Sequence, residues 1–365
     1  MIAKTVFSLD EIIDTAPFSL PAAAKSAMLV RGLNHLTDLH RRRCERYDRI
    51  VDVVGGGAHG PAECVEDVPF VPVRLFKAHE LRSVDQAEVV KTMTSSGTGG
   101  QVSRIYLDRE TAANQTRVLA KLMATLIGKK RLPMLIIDSR AVIKDRNLFS
   151  ARGAGILGFS MFGYDVEYAF DERMELDVPR VKAFLERHPN EPILLFGFTF
   201  MIWQHLCEVL EETNQRLDIR SGILIHGGGW KKLADRAITN DGFKQRLQEL
   251  TSIRQVVNYY GMVEQTGSIF LECEHGRLHS SIFSDIVVRN PKDFSPSRTN
   301  EVGLVQLLSL LPSSYPGHSI LSEDEGRILG EDDCACGRKG KYFEIIGRVK
   351  NAEVRGCSDT YVSSI

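Results

Sequence analysis

The stretch from Pro133 to Tyr260 constrains the fold most. Apolar runs at Pro133–Asp138, Pro192–Phe198, Gly222–His226 and Arg254–Tyr260 alternate with helix-patterned segments at Asp177–His188, Phe200–Thr213 and Gly242–Leu250. Strands alternating with helices in this way predict an α/β architecture with a largely parallel sheet. Ligands of such sheets bind beyond the carboxyl ends of the strands. Three glycine-rich or polar turns follow apolar strands, Ser95–Gly100, His226–Lys232 and Gly261–Thr266, and are expected to meet at one cleft.

The first of these turns lies in the run Thr92–Ser103. A β-prone segment, Val89–Met93, leads into it, and a helix is expected from about Asp108. Short side chains let backbone N–H groups and Ser/Thr hydroxyls approach phosphate oxygens closely. Lys91, Arg104 and Arg109 add positive charge nearby. The loop has neither the Gly-Lys-Ser/Thr ending of a P-loop nor the spacing of a dinucleotide fingerprint, so a nucleotide here needs a different architecture. The competing reading is an ordinary Ser/Gly surface loop.

The 365 residues suffice for a large core and two lobes. A formal net charge of −1 gives no global pull toward nucleic acid or an anionic membrane. Met1–Asp10 has no apolar core of signal-peptide length and no stretch is long enough to span a bilayer, so a cytoplasmic protein is expected. Seven scattered cysteines, an odd number, argue against a disulfide scaffold.

Toward the amino terminus, Ser8–Glu11 forms a capping-box pattern. One long amphipathic helix is expected from Ala22 to about Val53. Leu29, Leu33, Leu36 and Leu39 would face inward, with Arg41–Arg43 and Arg46 on a solvated face. Val68–Phe76 reads as extended. From Ser268 onward short β-like runs take over, as expected of a smaller β-rich subdomain. The expected division is an N-terminal helical region packing on the core (1–85), an α/β nucleotide-binding core (86–267), a β-rich subdomain (268–346) and a hinge-like tail (347–365) carrying Cys357.

Four segments in order resemble the adenylate-forming superfamily. More narrowly they resemble its acyl-protein synthetase branch, the fatty-acid-activating component of bacterial bioluminescence, related to phenylacetate-CoA ligases. Ser95-Ser-Gly-Thr-Gly-Gly100 is similar to the family's phosphate loop, Tyr260-Gly-Met-Val-Glu264 to Tyr-Gly-x-Thr-Glu, and Ser322-Glu-Asp324 to Thr-Gly-Asp. Gly347-Arg348, with Arg355-Gly356 beyond it, is similar to the hinge segment. His226–Lys231 resembles the acyl-protein synthetase form of the adenine-side glycine turn. Gly99 replaces the usual second threonine of the loop, and Val263 replaces the threonine of the second motif.

The resemblance implies the large-domain fold of adenylate-forming enzymes, with mixed and parallel sheets and a smaller β-rich subdomain. It also implies that the family's mobile C-terminal domain is missing. The implied chemistry is attack of a carboxylate on the α-phosphate of ATP, which calls for alignment and charge stabilisation more than for a protein nucleophile. By resemblance Ser95, Ser96, Gly97, Thr98, Gly99 and Gly100 hold the pyrophosphate side. Glu264 helps place Mg²⁺, Asp324 accepts from the ribose hydroxyls and Arg348 lies near ribose or phosphate. Gly228, Gly229 and Tyr260 flank the adenine, and Gly261 is a further nucleotide-binding position. In acyl-protein synthetases a cysteine near the carboxyl terminus carries the acyl group as a thioester, and Cys357 fits that place. Arg348 and Arg355 are positioned in sequence to favour its thiolate.

Cys273 and His279, together with Cys334-Ala-Cys336, make a Cys₃His set suited to structural Zn²⁺, with His275 the alternative histidine. Unmetallated surface turns are the competing reading. Phe196–Met201 and Trp203 are candidate lining for the acid, equally readable as core. The implied activity is ATP-dependent activation of a carboxylic acid, of the long-chain fatty class, with transfer to Cys357 and delivery to an acyl reductase. Two alternatives stand beside it: a ligase passing the acyl group to coenzyme A or a carrier protein, and a non-catalytic scaffold on a degenerate adenylation fold.

Overall fold

The computed structural model describes residues 7–54, 60–95, 102–143, 151–229 and 238–349. The elements in chain order are α1 (Ala22–Arg43), α2 (Glu45–Val54), β1 (Val71–Pro72), α3 (Leu75–Ala78), β2 (Lys91–Thr94), β3 (Arg104–Leu107) and α4 (Arg109–Ile127). There follow β4 (Leu132–Ser139), α5 (Ala151–Ser160), β5 (Gly163–Phe170), α6 (Val178–Arg187), β6 (Ile193–Phe198), α7 (Thr199–Ile202), a π-helical turn (Trp203–Cys207) and α8 (Glu208–Glu212). The chain continues with β7 (Gly222–Gly227), α9 (Asn240–Thr251), β8 (Gln255–Tyr260), β9 (Phe270–Glu272), β10 (Leu278–His279), β11 (Ser284–Arg289), β12 (Gly303–Ser309), β13 (Ser319–Glu331) and β14 (Lys341–Arg348). No helix among the described residues is long and apolar enough to cross a membrane.

These residues divide into two compact units. One takes residues 7–54, 60–95, 102–122 and 261–349, the other 123–143, 151–229 and 238–260. This division differs from the expected boundaries at 85 and 267: the N-terminal helices and the β-rich segment are one body. The contacts that join them are specific. β1 pairs in parallel with β13, Val71 opposite Ile320. The Ile282 amide donates to the Pro17 carbonyl at 2.8 Å. Lys25 on α1 reaches the interior, where its Nζ donates to Ser280 Oγ at 2.8 Å and pairs with Asp285 at 3.4 Å.

In the first unit, β11, β12, β13, β14, β10 and β9 pair antiparallel in that order. The helix expected across Ala22–Val53 is two helices, because Cys44 is extended (φ −133°, ψ 92°) and buried. Leu29, Leu33 and Leu36 face the core as expected, but Leu39 is only half-buried. His40 takes the inward position instead. Its ring bonds both Ser83 Oγ (2.8 Å) and the Pro312 carbonyl (3.0 Å), so a polar side chain is satisfied inside.

The second unit is a parallel sheet in the order β5, β4, β6, β7, β8. The predicted α/β alternation is this sheet, with α5 and β5 as an additional pair that the sequence reading passed over. Its strand order reverses between β4 and β6, and the carboxyl ends flanking such a switch form a crevice. Phe159 stacks on Phe196 (4.3 Å, 19°), and Tyr259 lies across both.

Candidate active site

In the second unit, β7 and β8 run side by side, Gly227 opposite Tyr259. Gly228, Gly229 and Tyr260 therefore lie just beyond or at neighbouring carboxyl ends, where parallel sheets present ligands. A Cβ at Gly227 would stand 2.5 Å from the Tyr259 ring, and Gly228 adopts φ +79°, so glycine is required at both. His226 is buried just before this turn. The Thr199 hydroxyl donates to the Gly227 carbonyl at 3.2 Å and lies 2.9 Å from His226 Nδ1. Burial pushes the His226 imidazole well down, to about 3, so the ring is neutral. Phe196, Phe198 and Met201 are buried, while Phe200 and Trp203 are half-buried, next to the end of β6. Lys231 and Lys232 lie outside the described residues.

In the first unit, β2 and β3 form an antiparallel ribbon, Met93 opposite Ile105. The Ser/Gly loop therefore connects two strands and the helix α4 comes only after β3. The helix expected from about Asp108 is α4, and β3, which the sequence pattern did not reveal, lies between the loop and it. The base of the loop is closed by two bonds: the Ser95 amide donates to the Ser103 carbonyl (3.2 Å) and the Ser103 amide donates to Ser95 Oγ (2.9 Å). Ser96, Gly97, Thr98, Gly99 and Gly100 lie outside the described residues, as does Cys357.

Glu264 lies in the same unit, on the 3₁₀ turn Val263–Gln265, and is 2% exposed. Its turn is held from several sides. Tyr315 Oη donates to the Glu264 carbonyl at 2.9 Å, and Gln265 Nε2 donates to the carbonyls of Leu307 (3.0 Å) and Gly317 (2.8 Å). Burial, then the Glu264 charge, pushes the Tyr315 phenol far above its usual range. A Cβ at Gly317 would meet the Tyr315 ring at 2.2 Å and the Glu264 carbonyl at 2.8 Å. Tyr315 and Gly317 were not singled out from sequence, and Gln265 entered only as part of the Gly261–Thr266 turn. The Tyr-Pro-Gly turn at 315–317 carried a signal for Tyr315 and Gly317.

Asp324 and Arg348 come from consecutive strands and are opposite each other in the β13–β14 register. Arg348 Nε donates to Asp324 Oδ1 at 3.2 Å. The Ser322 hydroxyl donates to the Val305 carbonyl (2.7 Å) and accepts from the Asp324 amide (3.2 Å), which fixes the carboxylate's strand position.

The first unit also gathers the four metal-ligand candidates. The ligand atoms of Cys273, His279, Cys334 and Cys336 all lie within 4.8 Å of one another. Two turns present them: Gly276 donates to the Cys273 carbonyl and Gly337, at φ +78°, to the Cys334 carbonyl, both at 2.9 Å. His279 joins the set, whereas His275 is exposed. Cys273 Sγ and Cys334 Sγ are 4.0 Å apart, and Cys336 Sγ is 3.4 Å from His279 Nε2. Tetrahedral Zn²⁺ with ordinary bond lengths sets S···S at about 3.8 Å and S···N at about 3.5 Å, so the donors fit zinc in type and spacing. Burial lowers His279 to about 4, leaving it a neutral ligand, and raises the Cys336 thiol to about 12, a cost that a bound dication reverses.

Residues 2–365 match the family described as acyl-protein synthetase, LuxE. A long-chain-fatty-acid–luciferin-component ligase of Vibrio harveyi is 25% identical over 339 residues, covering 89% of this chain and 82% of that protein. Its Aliivibrio fischeri namesake is 24% identical over 308 residues, covering 80% and 78%. The fold is similar to that of a 2-hydroxyisobutyryl-CoA ligase solved with 2-HIB-AMP and CoA (TM-score 0.69, 17% identity, 92% of this chain and 77% of that one). The fold is thus that of adenylate-forming ligases, and the chain, an acid–thiol ligase, belongs to the LuxE acyl-protein synthetase family.

Proposed function

We propose that this protein uses ATP to convert a long-chain fatty acid to its acyl-adenylate and then moves the acyl group to its own Cys357, from which an acyl reductase takes it. The family match along residues 2–365 carries this reading. The names of the two luciferin-component ligases favour a fatty acid as substrate.

In the first step a carboxylate oxygen bonds to the α-phosphorus of ATP and the bond to the pyrophosphate oxygen breaks. Ser95, Ser96, Gly97, Thr98, Gly99 and Gly100 would donate to the departing phosphates. Gly228, Gly229 and Tyr260 would flank the adenine, Gly261 would be a further nucleotide-binding position, and Asp324 would accept from the ribose hydroxyls while Arg348 holds it in place. The buried Glu264 carboxylate is a hard oxygen donor suited to Mg²⁺, which when bound neutralises phosphate charge. In the second step the Cys357 thiolate attacks the acyl carbon. A C–S bond forms, the bond to the AMP oxygen breaks, and the thiol proton has already passed to solvent. The Cys273, His279, Cys334 and Cys336 set would hold structural Zn²⁺ that ties the β9–β10 turn to the β13–β14 connection.

The test is Cys357→Ser with labelled fatty acid. The variant is expected to catalyse acid-dependent ATP–pyrophosphate exchange at the wild-type rate and to retain no label after denaturation. Undiminished labelling would refute the thioester at Cys357. Label passing to coenzyme A or a carrier protein instead would support the alternative ligase, and no exchange with any acid would support a scaffold.

A further inference from the structure

The buried stripe of α4 changes character along its length. Thr111, Gln115, Val118 and Leu122 follow helical spacing and all are buried. The last two are the apolar residues such a stripe calls for. The first two are polar, and they differ in how they are satisfied. Thr111 Oγ1 lies 2.8 Å from Ser313 Oγ and accepts from the Ser314 amide at 3.2 Å. Gln115 is 5% exposed, yet its Nε2 is buried with no hydrogen-bond partner among the described residues.

An orphaned buried amide is destabilising, and a leucine or methionine at the same stripe position would avoid that cost. The setting says what Gln115 is kept for. A Cβ on Gly267 would stand 2.8 Å from both Gln115 Cα and Cβ, and Gly267 has φ +88°, so the turn after Glu264 lies directly on this part of α4. That turn is the one the Tyr315 and Gln265 bonds hold rigid. A carboxamide N–H₂ is a pure donor, so its missing partner is an acceptor. Beside a segment assigned to phosphate and metal, the acceptor of matching chemistry is an anionic oxygen of the reactants.

We infer that Gln115 is a substrate-binding residue whose Nε2 donates to an oxyanion of the bound reactants, either the fatty acid carboxylate or a phosphate of ATP. The inference rests on the adenylation reading for its reactants.

Gln115→Met removes the donor at nearly constant volume, and Gln115→Glu replaces it with an acceptor. In acid-dependent ATP–pyrophosphate exchange, both are expected to lose roughly 10- to 100-fold in kcat/KM, the size of one lost donor to a charged oxygen. A rise in KM for the acid alone identifies the carboxylate as acceptor; a rise for ATP alone identifies a phosphate. The ligand-free Gln115→Met protein is expected to melt at or above the wild-type temperature, opposite to what loss of a structural hydrogen bond produces. Wild-type exchange kinetics in Gln115→Met overturn the inference, and so does a lowered melting temperature with both KM values unchanged. If the wild type shows no exchange with any acid, the adenylation reading fails by itself. Thermal shift by ATP and by fatty acid, each read in wild type and Gln115→Met, then decides for Gln115: a shift lost in the variant supports it, and equal shifts refute it.

Discussion

Acid should unlock the first unit well before its carboxylates titrate. His40 and His318 stack inside it with ring centroids 5.0 Å apart, both fully buried. The Pro312 carbonyl must accept from His40 Nε2–H, leaving Nδ1 to accept from Ser83. Thr37 Oγ1, which donates to the Leu33 carbonyl, accepts from His318 Nε2–H at 2.9 Å. Both rings are thus neutral, and burial lowers His40 to about 3 and holds His318 well below its usual range. Because the folded values lie below the unfolded value of about 6.5, the unfolded chain binds the extra protons. Their stabilising contribution is complete above that value and is lost as pH falls toward the folded one. Integrated from about pH 7 to about pH 5, the His40 ring removes about 2 kcal/mol, and His318 acts in the same direction. Urea unfolding followed by circular dichroism across that window measures it, since the midpoint shifts by the lost free energy divided by the slope. A His40→Gln, His318→Gln double variant, less stable overall, is expected to show a much flatter pH dependence. A wild-type midpoint that does not move between those pH values, or an equally steep double variant, would refute the reasoning.

Protein purified without chelator should carry about one equivalent of zinc by atomic absorption, and Cys336→Ser only a small fraction of it, with a lowered melting temperature; a wild type with negligible metal would remove the site. Asp324→Asn should raise the KM for ATP about tenfold in the exchange assay while leaving the KM for the acid unchanged. Gly267→Ala, forced to φ +88° and against Gln115, should lose about 2–3 kcal/mol, read as a melting temperature lower by several degrees.

The sequence by itself determined the periodic parts of this protein. Parallel strands such as β6 and β7 are apolar because both faces are covered, so their runs were legible without coordinates. Glycine-rich turns after such strands pointed to a nucleotide, and the order of short motifs pointed to the family. Cysteine and histidine chemistry marked the Cys₃His candidates, whose spacing along the chain is not that of a standard finger. Only the tertiary structure decided which residues meet. Asp324 faces Arg348 because of the β13–β14 register, which no local pattern encodes. His279 rather than His275 joins the cysteines because β10 turns it inward. The N-terminal helices and the β-rich segment form one unit because Lys25 and β1 make partners some 250 residues away in sequence. The Ser/Gly loop caps a hairpin, since β3, only four residues long, is too short to show a period of its own. Gln115 looked like any helical glutamine in sequence. Its significance comes from an amide buried without a partner, and burial is a property of the packed chain alone.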